Sequence, residues 1–221
     1  MGDGYVDAVR GAHLLCLALG MGSALYLDFR TLAGLTRIIE EHDILEMRRI
    51  HHFVAVALAC LWVTGLTLIW IRTSFDISQF SPKLWCKLAV VSAMTLNAWL
   101  IGACVMPIME GLVGERLIDL NPRQLLPLVV IGAISLFCWI TGLALGCSKV
   151  LKTAAWHDLS SALSLAYVAI IIGGVAAFFG LRAVLLRPRR RPDPFDRLLG
   201  HISDVSPMRS RRAAFLTDHR T

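Results

Sequence analysis

Five apolar runs, each about as long as a bilayer is thick, constrain the fold of this chain more than any other feature. An α-helix rises 1.5 Å per residue, so about 20 residues cross a hydrocarbon core of roughly 30 Å. The runs cover residues 11–29, 51–71, 84–108, 124–147 and 158–182. Lipid offers no partners to backbone N–H and C=O groups, so such runs form helices. The sequence therefore predicts an all-α fold, a polytopic transmembrane helical bundle of about five spans.

The composition agrees with an integral membrane protein, since 56% of the residues are hydrophobic and 17% are charged. The formal net charge of +6 comes from the last 40 residues, where 10 Arg stand against 4 Asp. We expect residues 1–186 to form the bundle and residues 187–221 to form an Arg-rich, mostly disordered cytoplasmic tail. Its Arg residues serve either as a topology anchor or as an attraction to anionic lipid or a partner. The lipid bilayer is the expected partner of this charge, and no nucleic acid is expected.

The distribution of Lys and Arg between the loops predicts the orientation across the membrane. One side receives Arg30, Arg37, Arg48, Arg49, Arg116, Arg123 and the tail. The other side receives Arg10, Arg72, Lys83, Lys149 and Lys152. The first set is larger, which predicts an N-terminus outside and a cytoplasmic C-terminus. The expected location is the bacterial inner (cytoplasmic) membrane.

Small residues recur at helical spacing in the spans and are expected to let helices approach closely. In the last span they are Ala162, Ala166, Ala169, Gly173, Ala176 and Gly180, and the fourth span carries Gly142 and Gly146. In the first span, Gly20 and Ala24 share a face with His13 and approximately with Asp28. The polar ends of that span are therefore predicted to face the bundle interior.

Two layers of polar residues follow from depth along the spans. His13, His157 and Lys87 lie near the outer ends of three spans. Imidazoles from different helices at matching depth can ligate a haem iron, so His13 and His157 are candidate metal ligands. A buried cation can pair with an anionic group, so Lys87 is a candidate catalytic or cofactor-binding residue. The alternatives are interfacial histidines bonded to headgroups and a lysine that extends outward to water.

The inner layer contains Asp28, Arg30, Arg48, Arg49, His51 and His52. These residues are predicted to form either an interfacial salt-bridge network or a second site. Asn97 lies about 15 Å deeper than Lys87, near mid-bilayer. We interpret it as a structural polar residue that bonds to another helix, with Ser135, Thr64 and Thr141 as candidate partners.

Three segments resemble the bacterial membrane-embedded protoporphyrinogen oxidase family and related small membrane proteins. They are GAHLLCLALGMGSALYLDFRTL, EMRRIHHFVAVALACLWVTGLTL and PKLWCKLAVVSAMTLNAWL, within residues 10–107. The resemblance implies functional roles for His13 and for Lys87 in its W-x-x-K context, and a link to b-type haem. It also matches the Arg48 and Arg49 pair and Gly65. A fifth span and the long tail depart from the family pattern.

The resulting expectation is an integral membrane redox protein that binds heme b (haem b), engaged in electron transfer or porphyrinogen-oxidase-like chemistry. A quinone or a redox partner protein would exchange its electrons. One alternative is a non-catalytic subunit or scaffold in a homo- or hetero-oligomer. A transporter is less favoured, because mid-membrane contains almost no ionisable residue and five spans do not divide into equal repeats.

Overall fold

The computed structural model describes residues 3–148 and 156–187, and every regular element in those residues is helical. The helices are α1 Asp3–Ala33, α2 Glu41–Thr73, α3 Pro82–Leu100, α4 Met106–Glu110, α5 Pro122–Cys147 and α6 Trp156–Leu185. A π-helical segment, Ile101–Val105, joins α3 to α4 without a break. With Pro82–Glu110 taken as one rod, five helices are long and apolar enough to cross a membrane. The predicted all-α fold with five spans is confirmed.

The helices begin at recognisable capping residues. At the start of α2, Glu40 and Asp43 form a capping box, in which each side chain accepts a hydrogen bond from the other's backbone N–H. Ser81 accepts from the backbone N–H of Leu84 ahead of α3, and Asn121 accepts from that of Arg123 ahead of α5. A side-chain oxygen at these positions satisfies backbone donors that have no partner within the helix.

Helix α1 packs along α2, and α3 packs along α5. The α1–α2 pair is antiparallel, since His13 meets Thr64 while Gly20 approaches Ala57. The bundle core formed by these helices contains Leu17, Ala24, Leu58, Leu61, Cys86, Val90, Met94, Phe137, Cys138, Trp139, Leu145 and Leu159.

A second hydrophobic cluster lies at the end of the bundle where α1 finishes. This loop cluster joins the loops after α1 and α4 to the helix ends beside them. Ile39 N donates to the carbonyl of Glu115, and Ile118 N donates to that of Leu35. Its buried members are Leu35, Ile39, Ile44, Met47, Met106, Met109, Leu112, Leu117, Leu120 and Leu125. The loops at this end are therefore packed against the helices.

The prediction for the small-residue stripe of α6 was wrong. Of its members, Ala162, Ala169, Gly173, Ala176 and Gly180 are exposed. The helix packs through a different face, which carries Leu159, Leu163, Tyr167 and Ile170 and sets Gly174 against Ala133. Bulky apolar side chains on that neighbouring face fill the space beside Phe137 and displace the small residues outward. In α5, Gly142 does pack, against Leu17 and Met94.

The chain divides into two compact units, Met1–Arg182 and Ala183–Thr221. The first contains the bundle. In the second, the described residues end at Arg187, just beyond the last turn of α6. The predicted Arg-rich tail, 187–221, lies outside the described residues apart from Arg187. The orientation with the N-terminus outside stays a prediction.

Candidate functional site

Two groups of polar residues lie within the bundle at different depths. The first, the His13 layer, comprises His13, Thr64, Gly65 and Lys87. The second, the Asp28 cavity, is lined by Asp28, His51, Asn97 and Ser135 together with apolar residues of α1, α2, α3 and α5. His13 and Asp28 are fifteen positions apart on α1, which corresponds to about 22 Å at 1.5 Å per residue.

The His13 ring is oriented by Thr64. The Nδ1 atom of His13 lies 2.9 Å from Thr64 Oγ1, and that hydroxyl lies 2.7 Å from the carbonyl oxygen of Cys60. Because a hydroxyl has one hydrogen and carbonyls only accept, Thr64 donates to Cys60 and accepts from the Nδ1–H of His13. The hydrogen-bond network thus assigns the proton to Nδ1 and leaves a lone pair on Nε2. Histidines that ligate metals are held in this way by a second hydrogen bond.

Gly65 is the residue of α2 over which the His13 ring lies. A Cβ atom at position 65 would be 3.3 Å from His13 Cε1, closer than ordinary van der Waals contact. Any larger residue would therefore push the ring away. Thr64 and Gly65 together determine the direction and position of the imidazole.

Lys87 belongs to a cluster of basic groups beside His13. Lys87 lies in the neighbourhood of His13, and Lys83 and Arg72 lie in the neighbourhood of Lys87. Lys83 Nζ donates to the carbonyl oxygen of Ser148. Between described residues, no salt bridge includes Arg72, Lys83 or Lys87. The cluster therefore favours an anionic group.

His157, the second candidate axial ligand, lies at the start of α6 with a side chain that is 94% exposed. Its Nδ1 is 3.9 Å from a carboxylate oxygen of the adjacent Asp158. A side chain that exposed is not enclosed between helices. The structure does not bring His157 into the His13 layer.

The His13 layer offers a single oriented imidazole as a possible metal ligand. The described residues contain no group of three or more His, Cys, Asp or Glu side chains that could hold a metal. A porphyrin supplies four nitrogen ligands itself, so one oriented imidazole is a sufficient protein ligand. His13 lines neither of the two cavities described here. A macrocycle bound through His13 would therefore lie outside those cavities.

The Asp28 cavity has a volume of about 50 Å³. Asp28 Oδ2 and Asn97 Oδ1 are both buried, and neither has a hydrogen-bond partner within residues 3–148 and 156–187. Asn97 as a whole is only 3% exposed. The expected hydrogen bond from Asn97 to another helix is therefore not made by its carbonyl oxygen, which bonds to none of the three candidates Ser135, Thr64 and Thr141.

His51 reaches the Asp28 cavity because Gly102, in the π segment, has no side chain. A Cβ atom at position 102 would lie 3.1 Å from His51 Nε2. A π turn is a rare feature that is frequent at functional sites. Sequence reasoning missed Gly102. The available signal was Pro107, whose missing N–H and ring disturb the preceding turn of a helix.

The predicted inner cluster separates into buried and surface parts. Asp28 and His51 line the cavity, while Arg30 pairs with Asp43 and Glu46. A further set lies at the surface, where Arg48 pairs with Glu110 and Arg49 and His52 are exposed. Part of the inner cluster thus forms the expected salt-bridge network, and the rest lines a cavity that is a candidate second site.

The two layers are assembled from four helices of one chain, and His13 and Asp28 both face the interior as predicted. The family resemblance of the first three spans stays an expectation. Comparisons with protein-family models, with curated proteins and with solved structures found no match for this chain.

Proposed function

We propose that this chain is an integral membrane redox protein that binds haem b through His13, located in the bacterial cytoplasmic membrane. The observation that carries the proposal is the His13 imidazole, whose Nδ1–H is engaged by Thr64 and whose Nε2 is left with a lone pair. When bound, haem supplies an iron that gains and loses one electron. The resemblance of the first three spans to the membrane protoporphyrinogen oxidase family agrees with this chemistry.

The basic cluster supports the same ligand. Haem b and porphyrins carry carboxylates, and the Lys87 ammonium stands beside His13 without a carboxylate partner among the described residues. In surroundings of low dielectric constant, a cation paired with a carboxylate orients the ligand and stabilises its more negative state. Lys87 would thus bind and orient the ligand, while Thr64 and Gly65 orient the imidazole.

Since His157 is almost fully exposed, the geometry supports one histidine ligand. A single protein ligand is compatible with porphyrinogen-oxidase-like chemistry, and a second ligand at the iron would favour simple electron transfer. The electron acceptor in either case is proposed to be a quinone or a redox partner protein.

The test is a reduced-minus-oxidised visible spectrum of the detergent-purified chain, expressed with ample haem supply. We expect a b-type signal that is lost in His13→Ala and kept in His157→Ala. His42→Ala is the matched control, because that side chain is 76% exposed and lies outside the layer. A parent protein without haem, or a signal that survives in His13→Ala, would overturn the proposal.

Lys87 is tested separately from ligation. Lys87→Met is expected to lower the midpoint potential of the bound haem, because removing a nearby cation favours the oxidised, more positive iron. Lys87→Arg keeps the charge and is expected to restore most of the potential. If Met and Arg at position 87 gave the same potential as the parent, Lys87 would have no electrostatic role at the haem.

A non-catalytic subunit is the second candidate, and one observation favours it. The small-residue stripe of α6 faces outward, which is the surface that closely packed membrane helices use. Gly173→Leu and Ala176→Leu are expected to dissociate a complex built on that face, whereas Val168→Leu, at another exposed position, is the control. The oligomeric state of each variant in mild detergent is measured, and an unchanged state removes this candidate.

A further inference from the structure

Two acceptor atoms without donors face one small cavity inside the bundle. Asp28 Oδ2 comes from α1 and Asn97 Oδ1 from α3, and both are buried without a hydrogen-bond partner in the described part of the chain. A buried polar group that lacks a partner is costly, and a carboxylate in hydrocarbon is more costly still. The arrangement therefore requires a donor that the described residues do not supply.

The basic side chains nearest in sequence are already engaged elsewhere. Arg30, two positions after Asp28, bonds to Asp43 and pairs with Glu46. Arg48, three positions before His51, pairs with Glu110. The donor at Asp28 is therefore neither Arg30 nor Arg48.

The size of the cavity limits what the donor can be. A water molecule needs about 10–15 Å³ of such space and two to four polar partners, so about 50 Å³ accommodates a few waters. Asp28, Asn97, Ser135 and His51 supply those partners. A water can donate to the oxygens of Asp28 and Asn97 and accept from Ser135 or His51.

We propose that the Asp28 cavity is a buried proton-binding site, in which water joins the Asp28 carboxyl group to Asn97 and His51. The proton resides on the Asp28 carboxyl group or on the water and imidazole beside it. This inference rests on the cavity and does not depend on haem binding. Gly102 is a positioning residue, because its lack of a side chain lets the His51 imidazole lie against the π segment.

The titratable groups that face Asp28 across the cavity are few. Helix α2 contributes His51 and helix α5 contributes the Cys138 thiol, whereas the α3 residues that line the cavity contain no titratable group. The proton is therefore shared mainly between one carboxyl group and one imidazole.

A larger cavity of about 180 Å³, lined by Arg30, Asp43 and Glu46, lies on the same side of the bundle end. Leu27 is the residue that lines both cavities. Protons would thus reach Asp28 from the charged cavity past the Leu27 side chain.

The test is infrared spectroscopy of the purified full chain in lipid, titrated with pH and transferred from H₂O to D₂O. We expect a carboxylic-acid C=O band that titrates, shifts in D₂O and disappears in Asp28→Asn. Asp7→Asn is the matched control on the same helix, since its side chain is 69% exposed and the band should survive there. Labelling the parent with [¹³C]aspartate shifts the band by its isotope effect, so the assignment to Asp holds even if Asp28→Asn fails to fold.

The route is tested by the rate of the D₂O shift. Leu27→Ala is expected to speed the exchange at Asp28, and Leu27→Phe to slow it. A parent band that is absent at every pH, or one that never exchanges, would overturn the proposal. A carboxylate signal that responds to Na⁺ or K⁺ instead of pH would overturn it too, in favour of a cation site. The haem spectrum is recorded on the same samples, so failure of one proposal is seen independently of the other.

Discussion

Gly20 is a position where α1 closely approaches α5, and alanine there should destabilise the bundle. A Cβ atom at position 20 would lie 2.5 Å from Trp139 Cη2 and 3.1 Å from its Cζ3. Non-bonded carbons prefer separations of about 3.5–4.0 Å, so the overlap is about 1 Å. Trp139 is 4% exposed and packs within the bundle core, where the Asp28 cavity that it lines offers about 50 Å³.

The size of the effect follows from two opposing contributions. Overpacking of a dense core costs about 1–3 kcal/mol, and an overlap of this size belongs near the upper value. Replacing Gly by Ala in a helix recovers about 1 kcal/mol. We therefore expect Gly20→Ala to lower the free energy of unfolding by about 2 kcal/mol, which is about a 30-fold change in the folding equilibrium.

The measurement is reversible unfolding by SDS in mixed micelles, followed by circular dichroism. Gly22→Ala is the matched control on the same helix, because a Cβ atom there meets nothing within 4 Å. The control should be as stable as the parent or slightly more stable. If Gly20→Ala and Gly22→Ala unfolded alike, the close approach of α1 to Trp139 would be refuted.

Three further outcomes are expected. Gly65→Ala should displace the His13 ring by a few tenths of an ångström and weaken haem binding in a spectroscopic titration, and unchanged binding would argue against ligation by that ring. Arg182→Met should cost about 1.5–3 kcal/mol of unfolding free energy, because the guanidinium donates to two carbonyl oxygens of the loop before α5; an equal stability of the two proteins would show that those bonds are dispensable. The hydroxyl and backbone N–H of Ser78 and the side chain of Gln79 donate hydrogen bonds to Asp76 and hold its pKa below the usual value. The turn is therefore fully stabilised above the usual carboxyl pKa, and it weakens as the pH falls through the lowered pKa of Asp76. The protection of the Ser78 amide, taken relative to its intrinsic exchange rate at each pH, should fall in acid in the parent and stay unchanged in Asp76→Asn.

Hydropathy was enough to predict the helices, because lipid leaves the backbone no alternative to internal hydrogen bonds. It could not predict where they end. Helix α2 begins at Glu41, ten residues before its apolar run, since the capping box at Glu40 and Asp43 continues the helix outside the hydrocarbon. Local capping chemistry, and not hydropathy, determines that boundary.

The candidate sites were predictable in depth but not in rotation about the helix axis. His13 and Asp28 share a face of α1, and both lie inward as expected. His157 has a suitable depth, yet the rotation of α6 depends on which face packs against α5, and the bulky face carrying Leu159 and Tyr167 does so. Similarly, no periodic pattern marks a π turn, so the approach of His51 to Gly102 could not be inferred.

The π segment also fixes the number of residues in the third long helical segment, Pro82–Glu110. A π turn contains about one residue more than an α turn, and one residue rotates everything beyond it by about 100°. Met106 and Met109 are buried in the loop cluster, and Glu110 pairs with Arg48. Deleting a single residue from Ile101–Val105 would restore a regular α-helix and turn those three side chains away from their partners. The packing of the loop cluster thus depends on the same π segment whose Gly102 leaves room for His51.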